Sequence, residues 1–380
     1  MKMIYLDNAA TSFPKPETVA KAMTRYLTEV GAPLNRSVYQ SAQETELVTL
    51  SLREQLKRFF HFPEKATHVI LTPGNTYGLN CLIKGYLHPG DHVIISSMEH
   101  NAVMRPLLLT PEVSFDRVQA DGEGFIDPDD IRPLIRPNTK LILMAHGSNV
   151  SGSVQDAEAI GAIAAQYGIP FALDGAQTAG HYPLDFAKSQ LSALSLPGHK
   201  GLLGPSGIGA LLVAEETARM LSPLVAGGTG SASDSEYLPS FLPDRFESGT
   251  LNLPGIYGWE AAMQFISERG IDALRAREVQ LINRFLNGIW DIPRVRLCGP
   301  DRVEDRVGVF SLDFMDRDNA AVSYELEQRF GILVRCGLHC APAAHRSLGT
   351  FPKGTVRFSL GYANTKADVD AAVAAIRALA

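Results

Sequence analysis

Apolar residues along the first two thirds of the chain gather in short runs, and helically spaced stretches lie between them. The pattern opens with helical periodicity over residues 16–30 and again over 41–60, where Leu47, Leu50, Leu52, Leu56 and Phe59 recur at roughly one-turn intervals and predict a packing helix. The apolar runs follow at 68–71, 92–95, 140–144, 170–173, 193–195 and 208–213, with helical segments predicted at 74–84, 100–109 and 156–167. A strand covered on both faces needs no polar alternation, so this succession predicts a mostly parallel sheet with helices on both sides.

From Gly255 the rhythm changes. Two long helical stretches, 255–268 and 271–290, are followed by a strand-like run at 308–314 and helices at 320–330 and 366–379. The expected fold class is α/β, with a large domain over residues 16–255 and a smaller α+β domain formed by residues 1–15 and 256–380. Gly- and Pro-rich stretches at 226–233 and 239–243 predict loops between the two regimes. Internal repeats and low-complexity segments are absent from the sequence.

Composition narrows the function classes. With 380 residues, 45% hydrophobic and 20% charged, the chain has material for a substantial core. A net charge of -6 without basic blocks offers nothing to a phosphate backbone, so no nucleic-acid partner is expected. The opening Met1-Lys-Met-Ile-Tyr-Leu-Asp7 turns polar too soon for a signal peptide, and no apolar stretch approaches the roughly 20 residues of a membrane helix. The expected location is cytoplasmic. Cys81, Cys298, Cys336 and Cys340 are too few for a disulfide framework, and Cys336 and Cys340 are spaced one residue too widely for a C-x2-C metal pair, so no metal is expected.

Two polar positions at the ends of apolar runs carry the candidate chemistry. Lys200 sits in Gly198-His199-Lys200-Gly201, and Asp174 closes the 170–173 run. The carboxyl ends of strands are where open α/β sheets bind ligands. An amine and a carboxylate so placed suit pyridoxal 5'-phosphate: the amine holds the aldehyde as a Schiff base and the carboxylate pairs with the protonated ring nitrogen. A phosphate-loop reading fails for lack of the upstream glycine spacing and a following Ser or Thr. Thr72-Pro-Gly74-Asn75-Thr76 leaves a strand and opens a helix, where backbone amides and the Thr76 hydroxyl can face an anion, or where Asn75 and Thr76 merely cap. His100 follows the next run and is expected to stack on the ring and shuttle protons near physiological pH. Asn149 and Gln177 are candidate donors to the ring hydroxyl or to the aldimine.

Tyr5-Leu-Asp-Asn-Ala-Ala10-Thr, Gly74-Asn-Thr76, Glu99-His100, Asp174-Gly-Ala-Gln177, Gly198-His-Lys200, Glu247-Ser-Gly-Thr250, Arg335-x-Gly-x-His-Cys340 and Arg357-x-Ser with Asn364-Thr365 occur in this order across nearly the whole chain. Together they resemble the class V aminotransferase superfamily, and within it the cysteine desulfurase and selenocysteine lyase branch with a compact cysteine loop. The resemblance implies a fold-type I homodimer with a seven-stranded, mostly parallel sheet and sites at the subunit interface. It implies Lys200 as the Schiff-base lysine, Asp174 as the pyridinium partner, Gln177 as the ring-hydroxyl donor and His100 as the stacking group. Thr76, His199 and, from the neighbouring subunit, Thr250 are implied as phosphate contacts, and Asn75 as a further cofactor contact. One departure is Pro197, which stands where many relatives carry a phosphate-binding Ser.

By the same resemblance Arg357 grips the substrate carboxylate, with Arg335 and Asn149 assisting, and Cys340 is the nucleophile. His339 and Arg335, on what should be an exposed loop, favour its thiolate, while Cys336 is read as a packing residue. The implied activity is conversion of L-cysteine to L-alanine with a persulfide on Cys340, which an acceptor protein then collects. Selenocysteine lyase, a class V aminotransferase or epimerase, and a non-catalytic sulfur carrier are the alternatives.

Overall fold

The computed structural model describes residues 3–34 and 37–380. Met1 and Lys2, within the expected 1–15 segment, and Asn35 and Arg36, within 16–255, lie outside the described residues. The chain opens with β1 (Ile4–Tyr5), α1 (Glu17–Arg25) and α2 (Gln40–Phe59), then alternates through β2 (Val69–Thr72), α3 (Asn75–Tyr86), β3 (His92–Ser96), α4 (Asn101–Leu108), β4 (Ser114–Val118), β5 (Thr139–Ala145), α5 (Ala157–Gln166), β6 (Phe171–Asp174), β7 (Ala193–Pro197), β8 (Gly209–Val213) and α6 (Glu215–Met220). It continues with α7 (Leu253–Arg269), α8 (Ile271–Ile289), β9 (Val295–Leu297), β10 (Val309–Phe314), α9 (Asn319–Phe330), β11 (Ile332–Leu333), β12 (Arg335–Gly337), α10 (Pro342–Ser347), β13 (Thr355–Ser359) and α11 (Lys366–Leu379).

The large sheet has seven strands in the order β2-β8-β7-β6-β5-β3-β4, and of these only β8 runs against the rest. On β5, Leu141 and Leu143 join the core on one face, while Ile142 and Met144 join the core on the other. That two-sided burial is why the run reads as continuous apolar residues, each contributing about 1.5–3 kcal/mol when fully buried. β4 departs from the expectation. Of its five residues only Val118 is buried, because it forms the sheet edge, where charged Asp116 and Arg117 suit an unpaired flank and hide the strand from a hydrophobicity reading. Leu47 and Leu50 also depart from it: both are exposed on α2, whereas Leu52 and Leu56 are buried.

The C-terminal unit is a four-stranded antiparallel sheet in the order β12-β13-β10-β9. Phe285 of α8 stacks on Phe310 of β10 at 4.2 Å and meets Phe358 of β13, forming the centre of a separate core with α11. β13 is wholly buried although Arg357 lies in it; the charge conceals the strand in the sequence. β1 pairs in parallel with β11 and so ties the N-terminal segment to this unit.

Candidate active site

Thr72, Ser96, Ala145, Asp174 and Pro197 end β2, β3, β5, β6 and β7 at one edge of the large sheet. The loops beyond them enclose a cavity of about 550 Å³ whose lining includes Asn75, Thr76, His100, Asn149, Asp174, Gln177, His199, Lys200, Arg335 and Arg357. Positions spread from 75 to 357 in the sequence therefore converge, while Cys340 is not among the lining residues.

Lys200 lies in a turn that admits no bulk. A Cβ at Gly201 would fall 2.3 Å from the Ala179 carbonyl oxygen, and one at Gly204 would fall 2.6 Å from Trp259 Cδ1. The N-terminal segment clamps this turn. The His199 carbonyl accepts from the Ser12 N–H at 3.0 Å, from the Thr11 and Ser12 hydroxyls at 3.1 and 3.2 Å, and from Lys15 Nζ at 2.6 Å. Among the described residues the Lys200 amine has neither a hydrogen-bond acceptor nor an ion-pair partner. Burial lowers its pKa to about 8 against the opposing pull of Asp174, and Arg357 and Arg335 push the same way as burial. A lysine so placed is a ready nucleophile toward an aldehyde.

Asp174 is 4% exposed, and its Oδ1 accepts from the Ala176 N–H at 2.9 Å and from Asn75 Nδ2 at 2.8 Å. His100 is the N-cap of α4, its Nδ1 accepting from the Ala102 N–H at 3.0 Å. Burial holds its pKa well below the usual histidine range, with Asp174 opposing and Lys200 reinforcing. The expectation of a proton shuttle titrating near neutrality gives way to a neutral imidazole whose Nε2 carries the proton. At the start of α3 the N–H groups of Asn75 and Thr76 find no backbone acceptor among the described residues, and His199 Nδ1 is buried without a partner.

β12 and β13 place Arg335 directly opposite Arg357. The buried Arg357 donates from Nη2 to Asp7 Oδ1 at 2.7 Å and from Nη1 to the Asn149 carbonyl at 3.2 Å, while its Nε has no partner among the described residues. Cys340 follows β12 in a left-handed turn, with φ of 48° at His339 and 59° at Cys340. Its carbonyl accepts from the Asn101 N–H at 2.7 Å, and Arg335 Nη2 lies 3.7 Å from its Sγ.

The loop is thus packed onto α4 and half-buries Cys340, where exposure was expected. His339 also differs from expectation. It is buried, its Nε2 meets Thr355 Oγ1 at 3.1 Å, and burial drives its pKa far down, so the cation beside the thiol is Arg335. Cys336, one residue along the strand from Arg335, projects from the opposite face, and burial raises its thiol pKa.

Asn149 and Gln177 both line the cavity with their amide nitrogens engaged, by the His339 carbonyl at 2.7 Å and the Ala9 carbonyl at 3.1 Å. Thr250 lies outside this cavity, in a neighbouring pocket with Tyr77, Phe246 and Leu251. Asp7, Lys15 and Ser195 carry no task in the sequence pattern, and of the three only Asp7, inside the Tyr5–Thr11 motif, stands where a signal is readable.

Residues 4–372 match the family model Aminotransferase class-V. The chain belongs to this family. Its class V relatives include a probable cysteine desulfurase of Methanothermobacter thermautotrophicus, 30% identical over 372 residues that cover 96% of this chain and 92% of the relative. The cysteine desulfurase CsdA of Escherichia coli is 30% identical over 382 residues, covering 98% of this chain and 93% of that protein. Among solved class V structures, the apo cysteine desulfurase of Thermococcus onnurineus NA1 superposes with a TM-score of 0.92 at 29% identity, over 99% of this chain and 94% of that one. The fold is that of fold-type I enzymes, and the class V family works with pyridoxal 5'-phosphate. The residues present fit that group: a buried amine without a partner, a carboxylate whose Oδ2 accepts nothing among the described residues, and unpaired N–H donors at a helix start.

Proposed function

We propose that this protein is a pyridoxal 5'-phosphate-dependent cysteine desulfurase that moves the sulfur of L-cysteine onto Cys340 and releases L-alanine. The observation that carries this reading is the 3.7 Å approach of Arg335, a β12 residue that lines the Lys200 cavity, to Cys340 Sγ on the loop after that strand. The full-length likeness to proteins named cysteine desulfurases supports it.

In this reading Lys200 holds the cofactor aldehyde, Asp174 faces the ring nitrogen, and His100 lies against the ring. Gln177 and Asn149 serve its hydroxyl side. The α3 start at Asn75 and Thr76, together with His199, receives the phosphate. When bound, the cofactor supplies an electron sink for the substrate carbon next to the carboxylate. Arg357, assisted by Arg335, grips that carboxylate; its fork matches two oxygens at once. Lys200, with its pKa near 8, takes the proton from the substrate Cα and returns it. Cys340, as thiolate beside Arg335, attacks the substrate sulfur. The new S–S bond forms as the substrate Cβ–S bond breaks, the electron pair stays with the carbon skeleton, and protonation there releases alanine. The persulfide on Cys340 passes to an acceptor protein.

A homodimer is part of the proposal, with Thr250 reaching the neighbouring subunit's phosphate. Support comes from its place outside the Lys200 cavity of its own chain and from the exposed Leu27, just past α1, and the exposed Leu47 and Leu50 of α2. A division into residues 16–255 and residues 1–15 with 256–380 is supported by their separate cores. Cytoplasmic location is supported by four unpaired cysteines.

The test is product analysis of the reconstituted protein with cysteine, selenocysteine and cysteine sulfinate, for the wild type and Cys340→Ala. The wild type is expected to give alanine and to gain one sulfur atom at Cys340 by mass spectrometry, and Cys340→Ala to lose turnover of cysteine. Selenide release that survives Cys340→Ala, with poor use of cysteine, overturns the reading in favour of a selenocysteine lyase. A keto acid without sulfide points to an aminotransferase. Protein that stays colourless with added cofactor points to a sulfur carrier.

A further inference from the structure

Ser195 of β7 and Asn75 of α3 are joined by a hydrogen bond whose direction is dictated. The Ser195 hydroxyl donates to Asn75 Oδ1 at 2.7 Å, and Asn75 Nδ2 donates to Asp174 Oδ1 at 2.8 Å. An ionised carboxylate only accepts, so the amide must turn its nitrogen toward Asp174 and its oxygen toward the hydroxyl. With the Ala176 N–H also on Oδ1 at 2.9 Å, that oxygen holds two donors, while Oδ2 accepts none among the described residues.

The backbone is fitted to this contact. A Cβ at Gly78 on α3 would fall 2.4 Å from Ser195 Oγ, and one at Gly209 on β8 would fall 2.8 Å from the Gly74 carbonyl carbon. These two glycines let the start of α3 settle onto the sheet until Asn75 reaches the carboxylate.

We infer that Asn75, steered by Ser195, is a positioning residue for Asp174, fixing which carboxylate oxygen meets the cofactor's ring nitrogen, and that its side chain does not hold the phosphate. The inference rests on the cofactor reading above and narrows the role of Asn75 within it; the Asn75 backbone N–H remains available to an anion. Without the amide, Oδ1 keeps only the Ala176 N–H, and Asp174 turns about χ2 more freely. The ring nitrogen then keeps less of its proton, and the electron sink weakens.

The experiment compares wild type, Asn75→Ala and Ser195→Ala, each reconstituted with pyridoxal 5'-phosphate. In Asn75→Ala kcat for cysteine falls roughly ten- to hundred-fold, the scale of one hydrogen bond to a charged group. KM stays within about two-fold, since substrate binding is untouched. The pH midpoint of the visible cofactor band moves upward, because less positive charge sits on the ring. Ser195→Ala, which removes only the hydroxyl that orients the amide, moves the midpoint the same way by less, so the inference stands open to test even if Asn75→Ala does not fold. Inorganic phosphate, titrated calorimetrically into cofactor-free protein, binds both variants as it binds the wild type. Weakened phosphate binding with an unmoved midpoint overturns the inference and returns the amide to the phosphate. A wild type that takes up no cofactor overturns this inference together with the cofactor reading, whereas uptake by all three proteins at one midpoint overturns the inference alone.

Discussion

Asp7 and Arg357 meet at 2.7 Å although 350 positions separate them in the chain. Arg357 is 1% exposed and its carboxylate partner 21% exposed, so the ion pair is largely shielded from water. Without Asp7 the guanidinium would stand buried with only the Asn149 carbonyl as acceptor. The Asp7→Asn variant is expected to lower the stability of the cofactor-free protein by about 2–3 kcal/mol, below the usual cost of breaking a fully buried pair because Asp7 is partly solvated. Urea unfolding measures it; an unchanged midpoint would show that Arg357 is held by the β13 backbone alone.

Arg53 and Glu247 form a second shielded pair. Nη1 and Nη2 of Arg53 reach the two carboxylate oxygens at 2.7 and 2.6 Å, with side chains 6% and 5% exposed. The Leu71 N–H donates to the same carboxylate at 2.6 Å. This contact pins the segment leading to Thr250 onto α2 and β2. Arg53→Met is expected to cost about 3–5 kcal/mol by leaving a buried carboxylate uncompensated. The double variant with Glu247→Gln should recover part of that loss in denaturant titrations.

Glu99 is fully buried, and burial raises its carboxyl pKa to about 7 despite the donors Ser96 and Ala145. A folded-state pKa above the unfolded value means that the native protein binds the extra proton. Stability from this group is present at low pH and is lost as pH rises through about 7. Glu99→Gln leaves Oε1 in place for its three donors and is therefore expected to be near neutral at pH 5 and stabilising by up to about 3 kcal/mol at pH 8. Equal effects at both pH values, read by thermal unfolding without cofactor, would refute a proton held there.

His146 and His345 act in the opposite sense. Burial lowers both to about 4, so the unfolded chain binds protons that the native protein refuses. Their contribution is complete above the ordinary histidine range and drains away as pH falls from about 6.5 toward 4. The melting temperature is expected to decline across that window, and His345→Gln should flatten part of the decline. A decline confined to pH values below 4 would assign it to carboxylates instead.

Gly201→Ala tests the lysine turn. The added methyl would press on a backbone carbonyl and on the His181 ring, neither of which yields cheaply, so a loss of about 1–3 kcal/mol is expected. Slower uptake of pyridoxal 5'-phosphate, followed by its visible absorbance, should accompany it.

The buried strands were legible because two-sided burial leaves apolar runs with nothing to interrupt them, and Lys200, Asp174 and His100 were legible because each follows such a run. β4 and β13 were not, since an edge strand carries charges and a buried arginine looks like a surface one until Asp7 is beside it. The amide that links Asn75 to Asp174 was invisible for a different reason. Residues 75, 174 and 195 come together only through sheet order, which hydrophobic spacing does not encode. Cys340 was found by its motif, but its shielding depends on the Asn101 N–H holding the loop down, a contact between parts with no local signature.

The clamp of Thr11, Ser12 and Lys15 on the His199 carbonyl, with β1 zipped to β11, has a consequence for biogenesis. The stretch before α1 can meet the lysine turn only once that turn has been made, and β1 can meet its partner only once β11 has been made. The clamp on the lysine turn is therefore a late contact, closed after the large sheet is laid down.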